Sequence, residues 1–137
     1  MDFPKILEER CYRDIKRWIE AGGSIQVTDP GTGFTLLHLA SDFQCIEAIE
    51  YLIGLGVDPN ILDLDGQTPL HIAVDSEIDS TVQSGAPLLY RTTKRLLELG
   101  ADLNLKDRMG KSPLDRINNY GEEARRKFNE SMRKNVA

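Results

Sequence analysis

The sequence predicts an all-α fold: a solenoid of stacked helix–turn–helix units with protruding hairpin loops. Two recurring motifs carry that prediction. Thr68-Pro69-Leu70-His71-Ile72-Ala73 has a near-copy 33 residues earlier, Thr35-Leu36-Leu37-His38-Leu39-Ala40. A worn copy, Ser112-Pro113-Leu114-Asp115, lies 44 residues later. Gly56-Val57-Asp58-Pro59-Asn60 returns as Gly100-Ala101-Asp102-Leu103-Asn104, again 44 residues on. Two motifs that shift together by one offset mark a repeated structural unit.

Each motif residue has a local reason. The Thr68 hydroxyl can cap a helix, and Pro69 suits the first turn, where its missing N–H costs nothing. Leu70 and Ala73, three apart, share one helical face. Gly56 and Gly100 close the preceding helices in the left-handed position that glycine tolerates. Asp65-Gly66 is a turn signal, and Met109-Gly110 occupies the equivalent place.

A period near 33 with T-P-L-H-x-A resembles the ankyrin-repeat family, over the whole chain. On that reading four units make one domain, residues 1–137. They span about Met1–Val27, Thr28–Ile61, Leu62–Leu105 and Lys106 to the end. The first lacks the motif but offers two helical patterns. Pro4 opens one, and Ile15, Trp18 and Ile19 stripe the other. Terminal units cap the stack and are more polar outside, which suits Arg13, Lys16 and Arg17 at one end and Glu122 to Lys127 at the other.

Two departures are visible. The loop Asp29-Pro30-Gly31-Thr32-Gly33 is one residue longer than its counterparts. An offset of 44 in place of 33 also leaves 11 extra residues in the third unit. His71 to Gly100 spans 29 residues, whereas His38 to Gly56 spans 18. The excess therefore lies between the two helices of that unit, near 76–87, in a Ser-, Thr- and Gly-containing stretch with loop composition.

Charge is distributed unevenly. Net charge is −5, yet residues 18–90 contain no lysine or arginine and eleven acids. The last stretch, 105–137, has nine bases against five acids. An acidic middle steers a basic partner and repels nucleic acid. In the basic end, Arg125, Arg126 and Lys127 interleave with Glu122, Glu123 and Glu130 at helical spacing, the pattern of an ion-paired, solvated face. Lys134 continues that basic run.

The chain has no run apolar enough to span a membrane and no basic-then-apolar leader at Met1-Asp2-Phe3-Pro4-Lys5. A cytoplasmic protein, monomeric when free, is expected. Cys11 and Cys45 are 34 apart, at one position of successive units. Their backbones are expected about one repeat apart, beyond the roughly 7 Å reach of a disulfide, so two free thiols are expected.

No motif for chemistry is present. C-x-x-C, H-E-x-x-H, the phosphate loop and G-x-S-x-G are all missing. His38 and His71 fill the fourth motif position, where the resemblance implies bracing of the helix start. No catalytic residue, cofactor or metal is expected.

The resemblance implies that binding uses the loop tips and the exposed face of each first helix. Those positions are Phe34, Asp42 and Phe43 in the second unit, and Leu62, Leu64, Asp65, Gln67, Asp75 and Ser76 in the third. In the fourth they are Lys106, Arg108, Met109 and Lys111. Glu77 and Asp79 join the acidic face. Apolar anchors among charges are how interface hot spots are built. The expected function is non-enzymatic protein binding, as a small acidic inhibitor of the immunity or antitoxin type against a basic protein such as a toxin. A general adaptor is the alternative, and an enzyme a remote one.

Overall fold

A computed structural model describes residues 3–133, which contain seven α-helices and one 3-10 turn. The turn Glu8–Arg10 leads into α1 (Cys11–Glu20). It is followed by α2 (Leu36–Asp42), α3 (Ile46–Gly54), α4 (Pro69–Ser84), α5 (Arg91–Glu98), α6 (Pro113–Asn119) and α7 (Glu122–Arg133). Helices α2, α4 and α6 pack side by side as an inner row. Helices α1, α3 and α5 form the outer row, and α7 closes against α6. Residues 134–137 at the basic end, Lys134 among them, and residues 1–2 of the Met1–Lys5 stretch lie outside the described residues.

The three motif copies start the inner helices as the sequence predicts. Each forms a capping box, with Thr35, Thr68 or Ser112 accepting from the backbone of His38, His71 or Asp115. The worn copy still works because the Asp115 carboxylate, like the imidazole, accepts the cap residue's N–H, at 2.9 Å. In the histidine copies Nδ1 accepts that N–H, at 3.2 Å for Thr35 and 3.0 Å for Thr68. Nδ1 is then the acceptor, so Nε2–H donates to the next unit: His38 to the Gln67 carbonyl at 2.8 Å, His71 to the Lys111 carbonyl at 2.9 Å. Each imidazole thus caps its own helix and ties it to the following loop. Burial holds both histidines below their ordinary pKa, in the neutral form this arrangement needs.

The first unit departs from expectation: it contributes one α-helix. Residues 3–7 run without helix, and Leu7 is extended at φ −90°, ψ 139°. The three residues between Pro4 and the 3-10 turn at Glu8 cannot repay helix nucleation. The segment instead lays Phe3 and Ile6 against the core and donates the Leu7 N–H to Asp14 at 3.0 Å. The α1 stripe is as predicted, with Ile15 buried and Trp18 and Ile19 partly so.

The insertion is also different. Residues 76–84 are not a loop. They lengthen α4 to 16 residues, against 7 in α2. Leu70, Val74 and Ile78 recur every four residues and are buried, so the apolar stripe runs on through polar composition. Gly85 ends the helix in the left-handed region, its N–H bonded to the Thr81 carbonyl at 2.8 Å. The connector then buries Leu88 and Tyr90 in a second core cluster with Val74, Ile78, Ile117, Ala124 and Phe128. Tyr90 sits at φ 52°, an uncommon place for a bulky residue. Its hydroxyl donates to the Ala124 carbonyl at 2.9 Å, and its ring meets Phe128 edge-on at 5.5 Å. The insertion therefore helps build the core of the C-terminal half.

Candidate protein-interaction surface

Two strips line the inner side of the stack: the loop tips, and the solvent faces of α2, α4 and α6. The loops are joined into a ribbon. Leu64 N–H donates to the Thr32 carbonyl at 3.1 Å, and Arg108 N–H to the Asp65 carbonyl at 2.9 Å. Asp63 and Asp107 brace their own loops from within, each accepting two backbone N–H groups between 2.8 and 3.0 Å. The ribbon holds up apolar side chains: Leu62 is 56% exposed, Leu64 55% and Met109 82%. Asp65, Lys106, Arg108 and Lys111 stand exposed beside them.

At the loop base, Arg116 of α6 gathers three groups. Its guanidinium bonds to Asp75 of α4, to Asp107 at 2.7 Å and to the Gln67 amide oxygen at 2.7 Å. Gln67 is held from the other side too, donating to Asp63 at 3.0 Å. Burial raises the Asp107 carboxyl, but hydrogen bonds from Lys111 N–H and Arg116 outweigh it and hold it below the usual range. Burial pushes Asp75 up, with Arg116 opposing. Glu50 on the outer row is paired as well, with Arg95 at 2.6 Å.

In the second unit, and on the extended part of α4, the acids are in another situation. Asp42 closes α2, at the end where the helix dipole disfavours an anion. Its side chain has no hydrogen bond or ion pair among the described residues. Loss of hydration pushes its carboxyl up, and the charges of Glu8 and Asp79 push it the same way. Asp79 is exposed on the extended part of α4. Gln44, at φ 56°, fixes α4 there by donating to Ser76 and Ser80 at 2.9–3.2 Å, and Ser76 donates to the Asp42 carbonyl.

The fold therefore divides the positions expected to bind. Leu62, Leu64, Asp65, Asp42 and Asp79 present free side chains to solvent. Gln67 and Asp75 are engaged by Arg116. Phe34 stacks on the His38 ring at 5.3 Å, and Phe43 packs against the core, so both are half-buried. Glu77 must be corrected outright. It is buried, and its carboxylate accepts from Thr92 N–H, Thr93 N–H and the Thr93 hydroxyl at 2.7–3.1 Å, capping α5 from a distance. Arg116 and Gln44 were not singled out by the sequence. Arg116 finds partners 9, 41 and 49 residues away and Gln44 partners 32 and 36 away, and no local pattern signals such pairings.

A family model described as Ankyrin repeats (3 copies) matches residues 8–107. The chain belongs to the ankyrin-repeat family. Similar proteins include protein phosphatase 1 regulatory subunit 12A of Mus musculus, 42% identical over 67 residues, which are 48% of this chain and 6% of that protein. A putative ankyrin repeat protein of Rickettsia felis is 37% identical over 94 residues, 66% of this chain and 39% of that protein. Neurogenic locus notch homolog protein 1 of Homo sapiens is 30% identical over 130 residues, 78% of this chain and 5% of that protein. The chain thus spans well under half the length of these relatives. Ankyrin repeats are protein–protein interaction modules.

Among the described residues, no group of three or more His, Cys, Asp or Glu could hold a metal ion. No helix among them is long and apolar enough to cross a membrane. A groove of about 560 Å³ at the start of α2 is lined by Ile25, Leu36, Leu37, Leu55, Val57 and Ile61, with Asp58 its one ionisable group.

Proposed function

We propose that this ankyrin domain is a non-enzymatic inhibitor, of the immunity or antitoxin type, that binds and blocks a basic protein. The observation that carries the reading is the unpaired carboxylate of Asp42, set beside Glu8 and Asp79 at a helix end that disfavours negative charge. A protein gains nothing in its own stability from that arrangement, whereas a cationic partner would relieve it. Leu62 and Leu64 on the loop ribbon supply the apolar anchors, and Asp65 a rim charge. Steering by such a face acts chiefly on association, and anchors act on dissociation.

The test is affinity capture from the source cell with the wild type and with the Asp42→Lys/Asp79→Lys variant in parallel. A basic protein retained by the wild type, released by salt and lost with the variant supports the reading. Equal retention by both proteins would overturn it. Adding the purified domain to the captured partner then decides the mode of action, because an inhibitor abolishes the partner's activity at a one-to-one ratio. A second reading, a general adaptor or regulator, is favoured by the regulatory subunit among the relatives. It predicts binding that leaves the partner's activity intact.

A further inference from the structure

The loop ribbon changes character along its length. Its middle loop, residues 62–67, and its last loop, residues 106–111, correspond position for position. Asp63 and Asp107 brace them with the same two backbone hydrogen bonds, from the residues two and four places on. The side chains they present differ. Where the middle loop has Leu62, Leu64 and Gln67, the last has Lys106, Arg108 and Lys111, and in place of Asp65 stands Met109. The middle loop is thus apolar and acidic, and the last is basic with an apolar tip. Asp65, Lys106, Arg108 and Lys111 are all exposed, and none is in an ion pair among the described residues.

The register between these loops is fixed. Arg108 N–H is bonded to the Asp65 carbonyl, and a Cβ on Gly66 would come within 3.1 Å of the Arg108 nitrogen. A ribbon held this way is ordered before it binds, which lowers the cost of association.

We propose that the ribbon is the interface of a symmetric homodimer, in which the middle loop of each copy lies across the last loop of the other. A two-fold axis turns a patch onto itself. Placed at the junction of the two loops, it sets Asp65 of each copy against Arg108 of the other, so the attraction is made twice. Residues 18–90 contain no lysine or arginine, so the first two loops hold no cation to repel the incoming basic loop. The aliphatic stems of Lys106 and Arg108 cover Leu62 and Leu64 while their charged heads stay at the edge. Met109, 82% exposed, is flexible enough to fill the space between those leucines. Two loops a side fall short of the roughly 800 Å² that each partner gives to a stable interface. The dimer therefore forms at high concentration, and the dilute chain is a monomer. Pairing covers Leu62 and Leu64, so it competes with any partner that uses them as anchors, but it does not depend on such a partner.

The test is sedimentation equilibrium of the purified chain alone, from about 10 μM to about 1 mM, where contacts of this size associate. The mass should rise from one chain towards two, and further at about 0.1 M salt than at about 1 M, where charges are screened. Arg108→Glu and Asp65→Arg should each weaken dimerisation at least about tenfold, because like charges then face one another across the axis. Both side chains are exposed, so melting temperatures should match the wild type. An equimolar mixture of these two variants should dimerise again, because every repulsive pair between the copies becomes an attractive one. No contact within a single chain can give that result. The mass of one chain at every concentration, growth beyond two chains, variants that dimerise like the wild type, or a mixture that stays monomeric would each overturn the proposal.

Discussion

Asp42 and Asp75 occupy the same place in successive units, each seven residues after its capping threonine, yet they live differently. What separates them is one residue of the following unit. Four residues after the cap, that unit offers Arg116 to Asp75 but Ile72 to Asp42. Asp75 is therefore part of a cation-centred network with Asp107 and Gln67, whereas Asp42 has no cation beside it and feels the like charges of Glu8 and Asp79. Equal charges in equal positions do opposite work. One holds adjacent units together, and the other has no hydrogen-bond or ion-pair partner among the described residues. Charge counting along the chain makes both part of one acidic middle. Only the contact across units tells them apart.

The largest effect that tests this contrast is on Arg116. Its side chain is 17% exposed, that of Asp107 5% and that of Asp75 34%, so removing the guanidinium leaves one poorly hydrated and one partly hydrated carboxylate without their cation. Arg116→Ala should cost about 2–3 kcal/mol in chemical denaturation, below the full penalty of a deeply buried pair. A loss under about 0.5 kcal/mol would place the network on the solvated surface, where single substitutions rarely matter.

A smaller effect of the opposite sign is expected at the other end. Asp42→Asn and Asp79→Asn remove repulsion without removing a partner. Each should leave stability unchanged or raise it by up to about 0.5 kcal/mol. A clear destabilisation would mean that these carboxylates hold the fold together and are not reserved for binding.

The smallest signal, and the most specific, is in the titrations. Carboxyl-carbon NMR should put the Asp42 midpoint above its ordinary 3.8 and that of Asp107 below it. The linkage signs then differ. Asp107 adds stability that is present above pH 3.8 and lost as pH falls through its depressed folded value. Asp42 carries a cost that is present above its raised folded value and is relieved as pH falls through it. Midpoints in the reverse order would remove the contrast.

Much of the fold was legible because its determinants are local. A capping residue, its partner three positions on and the proline between them fix where each inner helix begins, and even Ser112 and Asp115 kept that geometry. The insertion was read as a loop because Ser, Thr and Gln dominate residues 76–84, although Ile78 continued the stripe of Leu70 and Val74. The missing first helix was hidden by Pro4, which marks a helix start only when enough chain follows to propagate it. The surface was less legible still. Leu62, Leu64 and Asp42 stand in the open as loop-tip and helix-face positions should. Glu77 was lost to the surface because Thr92 and Thr93 needed a cap that Tyr90 does not provide. Gln67 and Asp75 were taken by an arginine more than forty residues away.

The central claim is that Asp42 and its neighbours steer a basic partner. The most direct measurement is the association rate of the captured partner by stopped flow, from about 0.1 M to 1 M salt, over which the Debye length falls from about 10 Å to about 3 Å. For the wild type the rate should be fast at low salt and fall steeply as salt rises. For Asp42→Lys/Asp79→Lys it should be slower at low salt and nearly independent of salt, while Leu64→Ala should instead speed dissociation. An association rate at low salt that is unchanged by the charge reversals would contradict the account and move the interface to another face of the molecule.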